Sequence, residues 1–348
     1  MNKNSYSNLK KNYTPGLSTK IIPFSPEYAK GIAQLTYAVY KNSYPVKSWY
    51  DEKQLISLHK KGDIHSVLGI NEKNEVIGCM AMYKSSAPYH RLKEGGMMMT
   101  EFSYRGANLI SEILAAFLDY FKNENSIEAL YGESVCNHTI TQKMSDSSGF
   151  KVTAVEAALV PPSESMGKES KTNERISCVY SCFIKSNKEP LKVYIPEIYE
   201  NILMEIYSNL NLKRTFLKDS NKISSDKTIS EIEEYSGPKV KRVNVSVTGA
   251  DFKEFIEKSI ITDDFEVIQV FICLSNPGVN NLCLELKNKG FYFGGIMPIW
   301  FGEDAILMQK TPPHFSEIKI YSDMARKILD FSISDYNDSQ RLKNGKNL

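Results

Sequence analysis

The chain has no apolar run long enough to cross a bilayer, and its opening stretch, Met1 to Lys20, is rich in Asn, Lys and Ser without the greasy centre of a secretory signal. It also lacks an excess of either charge. Lys and Arg number 43 against 41 Asp and Glu, a formal net charge of +2, so no global basic field recruits nucleic acid or a membrane surface. Cysteine is sparse: Cys79, Cys136, Cys178, Cys182, Cys273 and Cys283 include no Cys-x-x-Cys pair at zinc-ligand spacing, so neither a metal site nor a disulfide framework is expected. These absences describe a cytoplasmic protein with buried free thiols. Its 348 residues exceed one ordinary domain and point to two or more.

What is present is concentrated between Met97 and Phe121. An apolar stretch runs into Tyr104-Arg105-Gly106-Ala107-Asn108-Leu109, after which Ile110, Ile113, Leu114, Phe117, Leu118 and Phe121 recur at helical spacing. A strand therefore passes through a tight turn into an amphipathic helix. The first N–H groups of a helix have no intrahelical partners and sit at the positive end of its dipole, so they favour an anion such as phosphate, and Arg105 adds a fixed charge. The same pattern also fits an ordinary strand-to-helix connection with an exposed arginine.

The segment resembles the pyrophosphate-binding signature of the GNAT N-acetyltransferase family, Arg/Gln-x-x-Gly-x-Gly/Ala after the fourth strand. Arg105 and Gly106 fit the Tyr-Arg-Gly opening. Asn108 stands where the first signature glycine belongs, an exchange compatible with the tolerance of Asn for positive φ, and Ile110 replaces the small second residue. The family's later Asn-x-x-Ala-x-x-x-Tyr-x-x-x-Gly-Phe region is matched in length from His138 to Phe150. Upstream, a strand at Lys20 to Pro23, a helix begun by Ser25-Pro26 and a hairpin around Asn71 to Asn74 complete the order β-α-α-β-β-β-α-β-α-β-β.

The second half partly echoes the first. Phe265 to Leu274, a break at Asn276-Pro277-Gly278, a helix from Val279 to Asn288 and Gly290-Phe291 repeat the sequence of elements from Glu133 to Val160. Before that echo, Lys239 to Val247 runs through Thr248-Gly249-Ala250-Asp251 into a helix expected at Phe252 to Ile260. An N-cap aspartate there disfavours a bound pyrophosphate. The expected fold is therefore α/β (α+β): two GNAT-like units, each a mixed, largely antiparallel sheet flanked by helices, the second degenerate. The expected division is a flexible tail over 1–17, an acyl-CoA-binding domain over 18–187, a degenerate domain over 188–340 and a flexible tail over 341–348. The joint lies near Lys185 to Leu191. A charged surface loop, Pro161 to Glu174, precedes the last strand of the first unit, and a polar loop spans Lys218 to Lys227.

The resemblance implies acetyl-CoA or another acyl-CoA as cosubstrate, without a metal. It implies donor binding by Met98, Met99 and Thr100 of a bulged fourth strand and by Arg105, Gly106, Ala107, Asn108, Leu109 and Ile110 of the turn. Direct attack by an amine on the thioester needs a base, and Glu94, Glu101 and His138 are the candidates. The family's tyrosine acid is replaced by Ser145, leaving water, His138 or Tyr131 to protonate the thiolate. Cys136, beside Asn137-His138, is the one cysteine near the expected acyl end. Trp49-Tyr50, Tyr83, Tyr89 and His90 flank the expected acceptor cleft. The implied activity is N-acylation of a small-molecule amine, with no nucleic-acid or membrane partner. The alternatives are a non-catalytic acyl-CoA sensor or scaffold, and an acyltransferase whose donor is an acyl carrier protein.

Overall fold

The computed structural model describes residues 6–106, 108–162, 174–185, 190–219, 223 and 225–345. Ala107, the loop residues Ser163 to Lys168, most of the joint at Lys185 to Leu191 and part of the Lys218 to Lys227 loop lie outside the described residues. Packing separates two compact units. One comprises the described residues within Met1–Ser85, Lys93–Leu130 and Pro162–Asn173; the other, those within Ser86–Leu92, Tyr131–Pro161 and Glu174–Leu348.

The first unit is built on strands β1 (Thr19–Pro23), β2 (Ile64–Asn71), β3 (Val76–Lys84) and β4 (Leu92–Thr100), adjacent in that order and antiparallel throughout. Alternation along β2 and β3 assigns their faces. Leu68, Ile70, Cys79 and Ala81 form a core with Ile32 and Leu35 of helix α1 (Ala29–Tyr40) and Leu55 of α2 (Glu52–Lys60). The intervening Gly69 and Gly78 meet Leu109 and Ile113 of α3 (Leu109–Asn123). The helix buries Leu109, Ile113, Phe117, Leu118 and Phe121, essentially the face given by its apolar spacing. The segment before β1, expected as part of a flexible tail, is instead tied down: Tyr6 stacks on Tyr50 with ring centroids 4.2 Å apart, and Thr14 bonds to Glu75 and Tyr104.

The second unit contains β5 (Ala129–Val135, whose first two residues pack with the first unit), α4 (Ile140–Ser147), β6 (Lys151–Val160) and β7 (Ile176–Ile184). Then come β8 (Leu191–Ile195), α5 (Glu200–Leu210), β9 (Arg214–Lys218), β10 (Ile229–Tyr235), β11 (Val240–Val247), α6 (Phe252–Phe255), β12 (Val267–Cys273), α7 (Val279–Asn288), β13 (Tyr292–Met297), β14 (Ala305–Lys310) and α8 (Asp323–Gly345). Its strand order is β5-β7-β6-β13-β14-β12-β11-β10, with β8 and β9 as a separate parallel pair. In its large sheet β11 and β12 run parallel, while β10 with β11, β12 with β14, β13 with β14 and β6, and β6 with β7 are antiparallel. Strands β9 and β10 lack the apolar alternation that marks a strand in sequence, and both are largely exposed. The helix expected at Phe252 to Ile260 is four α-helical residues followed by a π turn, Ile256–Ile260. Helix α8 continues to Gly345 through a stretch expected as tail.

The echo between the halves is visible in geometry. Strands β5-β7-β6 and β12-β14-β13 have the same spatial order. Gly149 at φ 88° closes α4, with Phe150 N donating to Ser145 O at 3.1 Å; Gly290 at φ 87° closes α7, with Phe291 N donating to Leu286 O at 3.0 Å. Each glycine takes the left-handed conformation that ends a helix and turns the chain into the next strand.

Candidate functional site

Strand β4 carries the first part of the site. Tyr83 and Glu94 are cross-strand partners on β3 and β4, and the Tyr83 hydroxyl donates to Glu94 Oε1 at 2.8 Å. The tyrosine crosses Gly96, where a Cβ would come within 2.4 Å of its hydroxyl oxygen, so this strand position must be bare for the contact to form. Trp49, buried, presents an edge contact to Tyr83 at 6.5 Å between ring centroids.

Register then breaks. Cys79 faces Met99 and Ala81 faces Gly96, so Met80 is opposed by two residues, Met97 and Met98, and Met97 lies at φ 51°. A bulge of this kind takes one residue out of the ladder and bends the strand. It falls one residue earlier than the expected span from Met98. Met97 and Met99 belong to the core beneath α1 and α2, whereas Met98 and Thr100 are half-buried.

After Thr100 the chain makes a 3-10 turn, Phe102–Tyr104. Glu101 caps it, accepting from Ser103 N at 2.7 Å and from the Ser103 hydroxyl, which commits this carboxylate to holding the turn. Arg105 is exposed, with its guanidinium carbon 3.9 Å from the centroid of the Phe102 ring and Nε donating to Thr100 O at 3.4 Å. Its charge bears on Tyr40, whose phenol burial pushes up to about 12. Gly106 turns the chain at φ 88°. Asn108, expected to take positive φ, lies instead at φ −70°, because Gly106 has already made the turn. The first intrahelical bond of α3 is Glu112 N to Asn108 O at 3.0 Å, and the Asn108 side chain makes no cap bond. Among the described residues, the N–H groups of Leu109, Ile110 and Ser111 have no intrahelical acceptor, as the first turn of a helix leaves them. Leu109 is core, so only its backbone is available to a ligand, while Ile110 is half-buried.

Sequence reasoning missed what sets the height of this helix above the sheet. Gly69 and Gly78 are cross-strand partners, and a Cβ on either would lie 2.6 Å from Leu109 Cδ1 or 2.5 Å from Ile113 Cδ1 respectively. The signal was two glycines in strand interiors, which mark close approach of another element. Tyr83 as the partner of Glu94 was equally invisible, since cross-strand register cannot be read from one strand alone.

The remaining expected residues belong to the second unit. His138 precedes α4; burial, with the charge of Lys319, lowers its imidazole below the ordinary value. Cys136 is buried and its thiol is pushed up to about 12 by burial, which removes it as a nucleophile at neutral pH. Tyr131 is fully buried, stacked on Tyr180 at 4.8 Å, and is core. Ser145 lies half-buried on α4.

At the turn from Gly249 to Asp251 two backbone donors are taken up by the chain itself. Gly249 N donates to Thr228 Oγ1 at 3.1 Å and Ala250 N to Ser225 O at 2.8 Å. Asp251, expected to cap the helix, makes no cap bond; its Oδ1 accepts from Thr228 N at 2.7 Å and Thr228 Oγ1 at 2.8 Å. At the next helix, Asp219 accepts from Gly278 N and Asn280 N, each at 2.7 Å.

No family model matches the chain, and no curated protein matches it by sequence. Among solved structures, it is similar to a GNAT-family acetyltransferase from Staphylococcus aureus Mu50 at 14% identity, over 49% of this chain and 100% of that one, with a TM-score of 0.37. It is similar to a ribosomal-protein-S5-alanine acetyltransferase from Vibrio fischeri at 11% identity, over 49% and 96%, with a TM-score of 0.39. It is also similar to a GNAT-family N-acetyltransferase from Escherichia coli in complex with CoA at 16% identity, over 51% and 86%, with a TM-score of 0.34.

Proposed function

We propose that the chain is an N-acyltransferase that moves an acetyl or other short acyl group from acyl-coenzyme A to the amine of a small molecule, with one donor site at the β4–α3 turn. The observation that carries this reading is the α3 start: N–H groups without intrahelical acceptors, preceded by Gly106 at φ 88° and the exposed Arg105. Such a terminus stabilises a diphosphate through its unpaired donors, its dipole and one fixed cation together. In this reading 18–187 is the donor-binding repeat and 188–340 a degenerate one, supported by the shared order β5-β7-β6 and β12-β14-β13.

The residues present have roles in a direct transfer. The amine nitrogen forms a bond to the thioester carbonyl carbon as the C–S bond breaks. Glu94, oriented by Tyr83, takes a proton from the amine, and backbone N–H groups released at the Met97 bulge polarise the carbonyl. The departing thiolate takes a proton from water, in place of the tyrosine that Ser145 replaces; burial, which lowers the His138 imidazole, makes it a poor acid for this step. Glu101, engaged as a cap, ranks behind Glu94 as base. Met98, Thr100 and the backbone of Leu109 and Ile110 line the donor side, with acceptor selectivity falling to the second repeat. No described feature favours an acyl carrier protein over free coenzyme A.

A second reading, donor binding without turnover, is favoured by Ser145 and by the branched Ile110 at the turn. Titration calorimetry with acetyl-CoA tests the donor site, and no binding refutes it. Thioester consumption across a panel of small amines then separates enzyme from sensor, and carrier-bound acyl donors in the same assay test the third option.

A further inference from the structure

The residue that opens the anion turn, Tyr104, is held by a chain segment nearly a hundred positions earlier. Its hydroxyl donates to Thr14 O at 2.5 Å and accepts from Asn71 Nδ2 at 3.2 Å. Asn71 Nδ2 also donates to Glu75 Oε2 at 2.7 Å, and Glu75 Oε2 accepts from Thr14 N at 3.3 Å. The four residues thus close a hydrogen-bond ring in which both backbone polar groups of Thr14 are used. Two cations reinforce it: Lys11 Nζ lies 3.2 Å from Glu75 Oε1, and Lys73 Nζ donates to Thr14 Oγ1 at 3.2 Å. Asn71 Oδ1 accepts from Lys73 N and Glu75 N, each at 3.0 Å, so the β2–β3 turn that anchors the ring is itself fixed.

Tyr104 is buried, its N–H is bonded to Glu101 O at 3.0 Å, and Arg105 and Gly106 follow it directly. Anchoring one end of a turn with a buried, fully bonded side chain restricts the conformations of the residues beside it. We propose that the segment around Thr14 is a strap that fixes the anion turn, with Tyr104 as the positioning residue through which residues 11–14 set diphosphate affinity. This rests on the assignment of coenzyme A to the turn.

The test compares two probes on full-length protein: acetyl-CoA and S-acetyl-pantetheine, which lacks the diphosphate. Tyr104→Phe removes one hydroxyl without changing the shape of the core and should weaken acetyl-CoA binding by about tenfold, as expected for loss of a bonded group in a positioned network. Pantetheine affinity should stay at the parent value. Thr14→Pro, which removes the N–H donor to Glu75, should reproduce the effect, with circular dichroism reporting that each variant is folded. Equal weakening of both probes, or unchanged acetyl-CoA affinity in both folded variants, overturns the strap. A parent protein that binds no acetyl-CoA overturns the donor-site assignment instead.

Discussion

The turn at Arg105-Gly106 and the turn at Gly249-Ala250-Asp251 both lead from a strand into a helix, yet they differ in charge, in helix length and in how far the chain bonds to itself. At the first, a 15-residue helix begins without a side-chain cap and a cation stands beside it. At the second, Thr228 and Ser225 accept from Gly249 N and Ala250 N ahead of the helix, the α-helix, also without a side-chain cap, lasts four residues, and a carboxylate is tied in place nearby. The lesson is that a strand-to-helix turn suits an anion through its charge and its surroundings as well as through its helix start: a cation stands beside one turn and a carboxylate beside the other.

Reversing the charge should break the comparison most severely. Arg105→Glu should abolish acetyl-CoA binding while leaving the fold intact, because its side chain stands outside the core, and calorimetry on the parent should give one equivalent per chain. A stoichiometry of two would show that the second turn is available after all.

Next in size is the chemistry. Glu94→Gln should lower turnover by about a hundredfold at neutral pH, the scale of a positioned general base, and by less at high pH where the amine is already neutral. A pH-rate profile identical to the parent would move the base to His138, whose depressed value keeps it neutral at pH 7.

A smaller effect should fall on stability alone. Gly249→Ala places a Cβ 2.1 Å from the Lys227 carbonyl carbon, so backbone must move. We expect a loss of about 2 kcal/mol in urea denaturation, typical of overpacking, with acetyl-CoA affinity unchanged. An altered affinity would mean that the two turns communicate.

The mildest effect is that of acid on the strap. Burial pushes the Glu75 carboxyl up, but bonds from Asn71 and Thr14 and the charge of Lys11 outweigh it and hold the group below its ordinary value of 4.5. A depressed carboxylate contributes stability above its unfolded value and loses it as pH falls through the folded one. The difference in melting temperature between the parent and Glu75→Gln should therefore shrink as pH drops below 4.5. A difference that is constant with pH would show that ionisation of Glu75 does not matter to the ring.

Much of the local architecture was legible because periodicity and punctuation agree: α7 occupies Val279–Asn288 and β6 Lys151–Val160, as their patterns specify. The strand-to-helix turn lies where the sequence places it, but its positive φ was assigned to Asn108 when Gly106 carries it. The rest depended on contacts remote in sequence. Nothing in Thr14 announces Tyr104, nothing in Thr228 announces Gly249, and exposed strands such as β10 carry no alternation to read.

If α3 opens the donor site proposed above, the glycine pair beneath it places part of the control of donor recognition where no ligand reaches. Gly69 and Gly78 touch Leu109 and Ile113, the side chains through which the helix rests on the sheet. Any residue larger than glycine at either position would act as a shim against these side chains while leaving every proposed contact residue unchanged. On that reading donor preference can be tuned from inside the core, and a screen confined to the rim of the proposed site would never see it.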